Sequence, residues 1–237
     1  MKTKLATRQF RFSSSRSGLF LATAFALMGP AVASFAAAPS ATEPALHGAG
    51  SAVPAIISTC IACHGAKGEG NTAAGYPRLA GLPAVYIAQQ LHSFTRGTRV
   101  NGLMSPMAKG LNDGQITAIA HYYSSLLPPT LAYGPMPAAA QAELGQRLAE
   151  RGDWSVGIAS CFRCHGPGGV GVAPNFPPLV GQPAGYIEAQ IKAWKDGSRH
   201  NDPQGLMHTI ALRLSDADAQ AVAIWLAAQK PMAVKTH

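Results

Sequence analysis

The chain has 237 residues, 47% of them apolar and only 13% charged, which is long enough for two cores of about a hundred residues each and too apolar for a disordered chain. Its formal charge of +8 suggests a polyanion partner, yet Lys2, Lys4, Arg8, Arg11 and Arg16 supply five of the nineteen basic residues, with no acid among the first 38. Without that segment the charge falls from +8 to +3, and a nucleic-acid role loses its basis.

The five basic residues precede an apolar run, Gly18 to Met28, and then small residues around Ala31 to Ala38. That is the layout of a secretory signal peptide, residues 1–38, cleaved between Ala33 and Ala38. The run is short for a membrane span, and no second one follows. The mature protein is therefore expected to have no membrane span, which leaves peripheral contact with a membrane surface compatible with the sequence.

A helix around Ala52 to Thr59, interrupted by Pro54, leads into Cys60-Ile61-Ala62-Cys63-His64. C-x-x-C-H is the attachment signature of c-type haem. Each cysteine forms a thioether to a haem vinyl group, and the adjoining histidine offers an imidazole nitrogen to iron. A Gly/Pro-rich loop containing Pro77 follows. Pro83 then opens a helix with Tyr86, Gln90 and Phe94 along one face. Its end, Gly97-Thr98-Arg99, leads to a loop holding Met104 and Met107. Asn112 caps a helix over Asp113 to Leu126.

Four prolines between Pro128 and Pro137 form a stiff linker, placing a domain boundary near Leu131 and domains at 39–131 and 132–237. Beyond it the same plan returns. A helix over Ala138 to Glu150, with further helix before Cys161, leads to Cys161-Phe162-Arg163-Cys164-His165. Pro177 matches Pro77, and the helix after Pro183 carries Tyr186, Gln190 and Trp194. Arg199 matches Arg99, Met207 matches Met104, and Ser215 caps a helix over Asp216 to Ala228. Self-similarity of this length indicates a duplicated domain, and its periodicity is helical throughout.

The two motifs use all four cysteines, so the chain is expected to carry two covalently bound haem c groups through Cys60, Cys63, Cys161 and Cys164. His64 and His165 become axial iron ligands. Met104 and Met207 each close a Gly-Leu-Met triplet and each stand seven residues before the leucine of the next helix. They are the expected opposite axial ligands, which raise the potential. Met107 falls opposite Ile210 and is expected to pack a haem wall. Among the histidines, His92, His121, His200 and His208 have no counterpart in the other copy, and only His208 rivals a methionine. The carbonyls of Pro77 and Pro177 are placed to accept the Nδ1–H of the proximal imidazoles. Arg99 and Arg199 are placed alike, for haem propionates or for an interdomain contact. Zinc is disfavoured because zinc-ribbon pairs lie roughly 15–20 residues apart.

These residues resemble the diheme class I cytochromes c, specifically the cytochrome c4 family, from about Gly50 to Gln229. The resemblance rests on C-x-x-C-H, the F/Y-P-x-L-x-G loop, the Tyr-Ile helix, the G-x-R-x-N stretch and the Met-to-helix spacing. It implies an all-α fold of two tandem class I cytochrome c domains related by a pseudo-two-fold axis, with the haem propionate edges close together. It also implies a periplasmic electron carrier, not an enzyme, taking electrons from a quinol-oxidising bc complex or a dehydrogenase towards a terminal oxidase. The alternatives are a cytochrome subunit of a periplasmic dehydrogenase and, less compatible with two matched methionines, a diheme peroxidase. The first copy departs from the second in a methionine loop three residues shorter and in lacking the Gly145-to-Leu148 lead.

Overall fold

A computed structural model describes residues 55–129 and 134–231. The expected signal peptide, Pro54 and the boundary at Leu131 lie outside the described residues. The first half holds α1 (Ile57–His64), α2 (Ala84–Arg96), α3 (Met104–Lys109) and α4 (Asp113–Ser125). The second holds α5 (Ala139–Glu150), β1 (Gly152–Asp153), β2 (Ile158–Ala159), α6 (Cys161–His165), α7 (Ala184–Asp196), α8 (Leu206–Arg213) and α9 (Asp216–Ala228).

Local chemistry sets the helix ends. Asn112 and Ser215 cap α4 and α9 through reciprocal boxes with Gln115 and Asp218, each satisfying two amides that the first turn leaves without partners. Pro83 and Pro183 sit one position earlier than expected, as extended caps of α2 and α7. There the missing N–H costs nothing, and their carbonyls accept the first helical bonds from Ile87 and Ile187. Gly97 and Gly197 end these helices, both with φ +77°, a left-handed conformation that favours glycine.

Each half buries its own core. In the first, α2 and α4 bring together Tyr86, Ile87, Leu91, Phe94, Ile116, Ile119 and Tyr123. In the second, α5, α7 and α9 bury Leu148, Ile187, Ile191, Trp194, Val222 and Leu226. Gly145 is what lets α5 cross α9 closely. A Cβ there would collide with the Ala221 carbonyl and stand 2.6 Å from Trp225 Cβ.

The structure corrects two expectations. The stretch before Cys161 is an antiparallel hairpin, β1–β2, pairing Gly152 with Ala159 and Asp153 with Ile158. Gly152 turns the chain out of α5 with φ +75°, and the Asp153 carboxylate accepts from the Ser155 amide and hydroxyl. That side chain–backbone turn outcompetes another helical turn. In addition, both methionines lie in short helices instead of loops: Met104 opens α3 and Met207 is the second residue of α8.

Candidate haem sites

α1 runs straight through the first C-x-x-C-H, so Cys60, Cys63 and His64 fall at i, i+3 and i+4 on adjoining faces. α6 does the same with Cys161, Cys164 and His165. None of the four cysteines forms a disulfide. Both histidines are buried at 6% exposure. His64 Nδ1 lies 2.9 Å from the Pro77 carbonyl and His165 Nδ1 lies 2.8 Å from that of Pro177. A carbonyl only accepts, so Nδ1 carries the proton and Nε2 keeps its lone pair. Burial, above all, holds both imidazoles below their ordinary pKa; the proline carbonyls partly offset it, and Arg199 reinforces it at His165. Both shifts favour the neutral ring, the form that ligates a metal. Their loops are braced alike, with Gly70 donating to the His64 carbonyl and Gly171 to that of His165, both at 2.7 Å.

Met104 and Met207 each pack, partly buried, against their own domain's core. Asn101 Oδ1 accepts from the Met104 amide at 2.9 Å, and Asp202 Oδ2 accepts from the next amide after Met207, His208, at 3.0 Å. Met207 and His165 line the same apolar cavity, together with Leu179, Ile187, Ile191 and Trp194. Met107 is 46% exposed. The neighbouring Ala108 takes the buried face of α3. His208, the rival the sequence offered, has its Nδ1 2.7 Å from the Trp194 carbonyl.

The donor set suits c-type haem: in each domain two thiols at i and i+3, a neutral imidazole with Nε2 available, and a thioether within an apolar surround. A buried polar atom points the same way. The Tyr123 hydroxyl, beside Cys60, is buried without a nitrogen or oxygen partner.

Between the domains lies a polar seam. Arg99 and Arg199 form an antiparallel backbone bridge, flanked by Val100 N to Ser198 O at 2.7 Å and His200 N to Thr98 O at 2.8 Å. Each guanidinium stacks on an aromatic ring of its own domain, Phe94 at 4.6 Å and Trp194 at 4.4 Å. Each also reaches across. Arg99 donates to Tyr186 Oη at 2.9 Å and Gln190 Oε1 at 2.7 Å. Arg199 donates to Tyr86 Oη at 3.2 Å and Gln90 Oε1 at 3.1 Å. Burial and then the neighbouring Arg99 pull the Arg199 guanidinium below its ordinary value. Burial pushes the Tyr186 phenol up, but the two cations outweigh it and hold it lower.

Sequence reasoning assigned Tyr86, Gln90, Tyr186 and Gln190 to a helix face and missed their role in the seam. Their recurrence at matched positions in both copies was the available signal. It also missed Arg78, buried at 1% exposure, which donates across the seam to the Gly181 and Val180 carbonyls. Gln182 pairs with the Arg78 backbone through both ends of its amide, at 3.0 Å each. These two residues break the repeat, since Pro178 and Leu82 hold the equivalent positions.

Two helical domains, each with a C-x-x-C-H helix, a proline-fixed histidine and a methionine on the next short helix, define a pair of fused class I cytochrome c domains. Residues 53–127 match the cytochrome c family, and residues 140–226 match the family described as cytochrome C oxidase, cbb3-type, subunit III. The chain is 58% identical to the thiosulfate dehydrogenase electron acceptor of Thiomonas intermedia (strain K12), over 92% of this chain and 94% of that one. It is 31% identical to reduced recombinant cytochrome c4 from Pseudomonas stutzeri, with a TM-score of 0.66 over 72% of this chain and 93% of that one. It is also 43% identical, with a TM-score of 0.67, to thiosulfate dehydrogenase (TsdBA) from Marichromatium purpuratum. The match covers 72% of this chain and spans 36% of that one. The protein belongs to the diheme class I cytochromes of the cytochrome c4 family: it is an electron carrier with one covalently bound haem c per domain.

Proposed function

We propose that this chain is the electron acceptor of a periplasmic thiosulfate-oxidising dehydrogenase and passes electrons on towards a terminal oxidase. The observation that carries this reading is the 58% identity, over nearly the whole length, to a thiosulfate dehydrogenase electron acceptor. It favours a dehydrogenase over a quinol-oxidising bc complex as donor. Residues 1–38 act as the export signal, and 39–131 and 132–237 are the two domains. Among the described residues no helix is long and apolar enough to cross a membrane.

In this reading Cys60 and Cys63 attach the first haem, and Cys161 and Cys164 the second. His64 and Met104 would hold the iron of one haem, and His165 and Met207 that of the other. When bound, each haem supplies a one-electron Fe(III)/Fe(II) couple, so one molecule can take both electrons from a two-electron donor. The protein's part is to keep the centres rigid and dry. The Pro77 and Pro177 carbonyls fix imidazole tautomer and plane, the methionine sulfurs favour the reduced state, and the apolar lining excludes water. Arg99 and Arg199 hold the domains in register while placing positive charge between them. No bond to a substrate is made or broken, and a histidine with a methionine at each iron would suit electron transfer.

Rapid mixing of the oxidised protein with thiosulfate dehydrogenase and thiosulfate tests the donor. Reduction of both haems within catalytic turnover supports it. A protein that stays oxidised there, but is reduced by a bc complex with quinol, overturns it.

A further inference from the structure

We propose that the Tyr123 hydroxyl tunes the first haem, donating a hydrogen bond to the Cys60 thioether sulfur and so favouring reduction of that haem over its partner. This rests on the reading that Cys60 is a haem attachment site. Tyr123 is fully buried, at 0% exposure, and its Oη has no nitrogen or oxygen partner. A hydroxyl left so costs about 1–3 kcal/mol, which a donor role to a neighbouring group would offset. The group beside it is Cys60, which packs against the core cluster that holds Tyr123 and neighbours its hydroxyl; burial keeps the phenol protonated. As a thiol, Cys60 donates to the Ile56 carbonyl at 3.8 Å. As a thioether the sulfur has no proton and only lone pairs to offer, so it can act solely as an acceptor.

The tyrosine cannot easily turn elsewhere. Its backbone carbonyl accepts from Gly81 N at 3.0 Å, and its ring lies so close over Gly68 that a Cβ there would come to 2.7 Å. The second domain reproduces this frame without the hydroxyl. The Leu226 carbonyl accepts from Gly181 N at 3.2 Å, so Leu226 stands where Tyr123 does. Over Gly169, the counterpart of Gly68, the close ring is Phe162, which a Cβ on that glycine would approach to 2.6 Å. Leu226 therefore brings no O–H to Cys161 where Tyr123 brings one to Cys60. A donor on the sulfur draws electron density from the porphyrin substituent, which disfavours the ferric state. The two haems are made unequal by one oxygen atom.

The test is Tyr123→Phe, which keeps the ring and removes the oxygen. In the holoprotein, at a fixed potential, the reduced-to-oxidised ratio of the first haem should fall by about two- to threefold, the effect of one weak hydrogen bond. The second haem should not move. In the unsubstituted protein the carbon–sulfur stretch of the first-haem thioether should shift in resonance Raman spectra between H2O and D2O. An unchanged first-haem ratio, or a band indifferent to D2O, overturns the proposal when peptide mass analysis finds haem on Cys60. A Cys60 peptide without haem overturns the attachment reading itself, and this proposal with it.

Discussion

Arg99 and Arg199 stand a hundred positions apart, pair through their backbones and exchange side chains: Arg99 bonds Tyr186 and Gln190, and Arg199 bonds Tyr86 and Gln90. Two buried like charges repel unless fixed dipoles surround them. Here the surrounding dipoles are two phenol oxygens, two glutamine carbonyls and Asn201, whose amide also donates to Gln90 Oε1 at 2.9 Å. The arrangement is a reciprocal lock between domains.

Breaking one arm should therefore separate the domains energetically. Arg199→Leu leaves Tyr86, Gln90 and Gln190 short of a donor and should cost about 3 kcal/mol. Calorimetry is expected to show one unfolding transition becoming two. If the arginines also serve the haems, potentials shift in Arg99→Leu and Arg199→Leu; unchanged potentials restrict them to the lock.

The helix crossing at Gly145 gives a second prediction. Alanine gains about 1 kcal/mol of helix propensity over glycine, but its Cβ would meet the Ala221 carbonyl and Trp225, and both sit on a packed helix. Overpacking costs about 1–3 kcal/mol and should win. Gly145→Ala is expected to destabilise the second domain in denaturant titrations, whereas Gly102→Ala, with open space around it, should be neutral.

Acid should weaken the second domain more than the first. The carboxyl of Asp153 is held low by Ser155 first and then Arg147, that of Asp196 by Ser198, and that of Asp216 by Lys195. A carboxylate whose folded value is depressed adds stability above its unfolded value of 3.8 and loses it as pH falls through the folded value. All three lie in the second domain, Asp153 partly exposed and the other two fully, so the effect is small. In Arg199→Leu, where the lock is broken, circular dichroism below pH 3.8 should show second-domain reporters melting ahead of first-domain ones.

Much of this is legible in the sequence because duplication prints each feature twice. Two C-x-x-C-H motifs point to the haems, and repeat alignment pairs Met104 with Met207, which both lie on short helices. Capping residues locate α4 and α9 almost to the residue. What stays hidden depends on long-range geometry. Nothing local announces that Gln90 and Gln190 face another domain, that Arg78 buries itself among carbonyls 102 and 103 positions away, or that Asp153 bends an expected helix into a hairpin. Tyr123 reads as core packing, which its ring is; only burial without a partner singles out its oxygen.

One methionine sulfur is expected to complete each haem, and everything said of the two centres as carriers depends on it. The long-wavelength methionine–iron absorption of the oxidised protein measures this directly. It should correspond to two centres in the native protein, fall by half in Met104→Leu and in Met207→Leu, and stay whole in Met107→Leu. A full-strength band in either of the first two variants, or a loss with Met107→Leu, would contradict the assignment and the saturated pair of centres built on it.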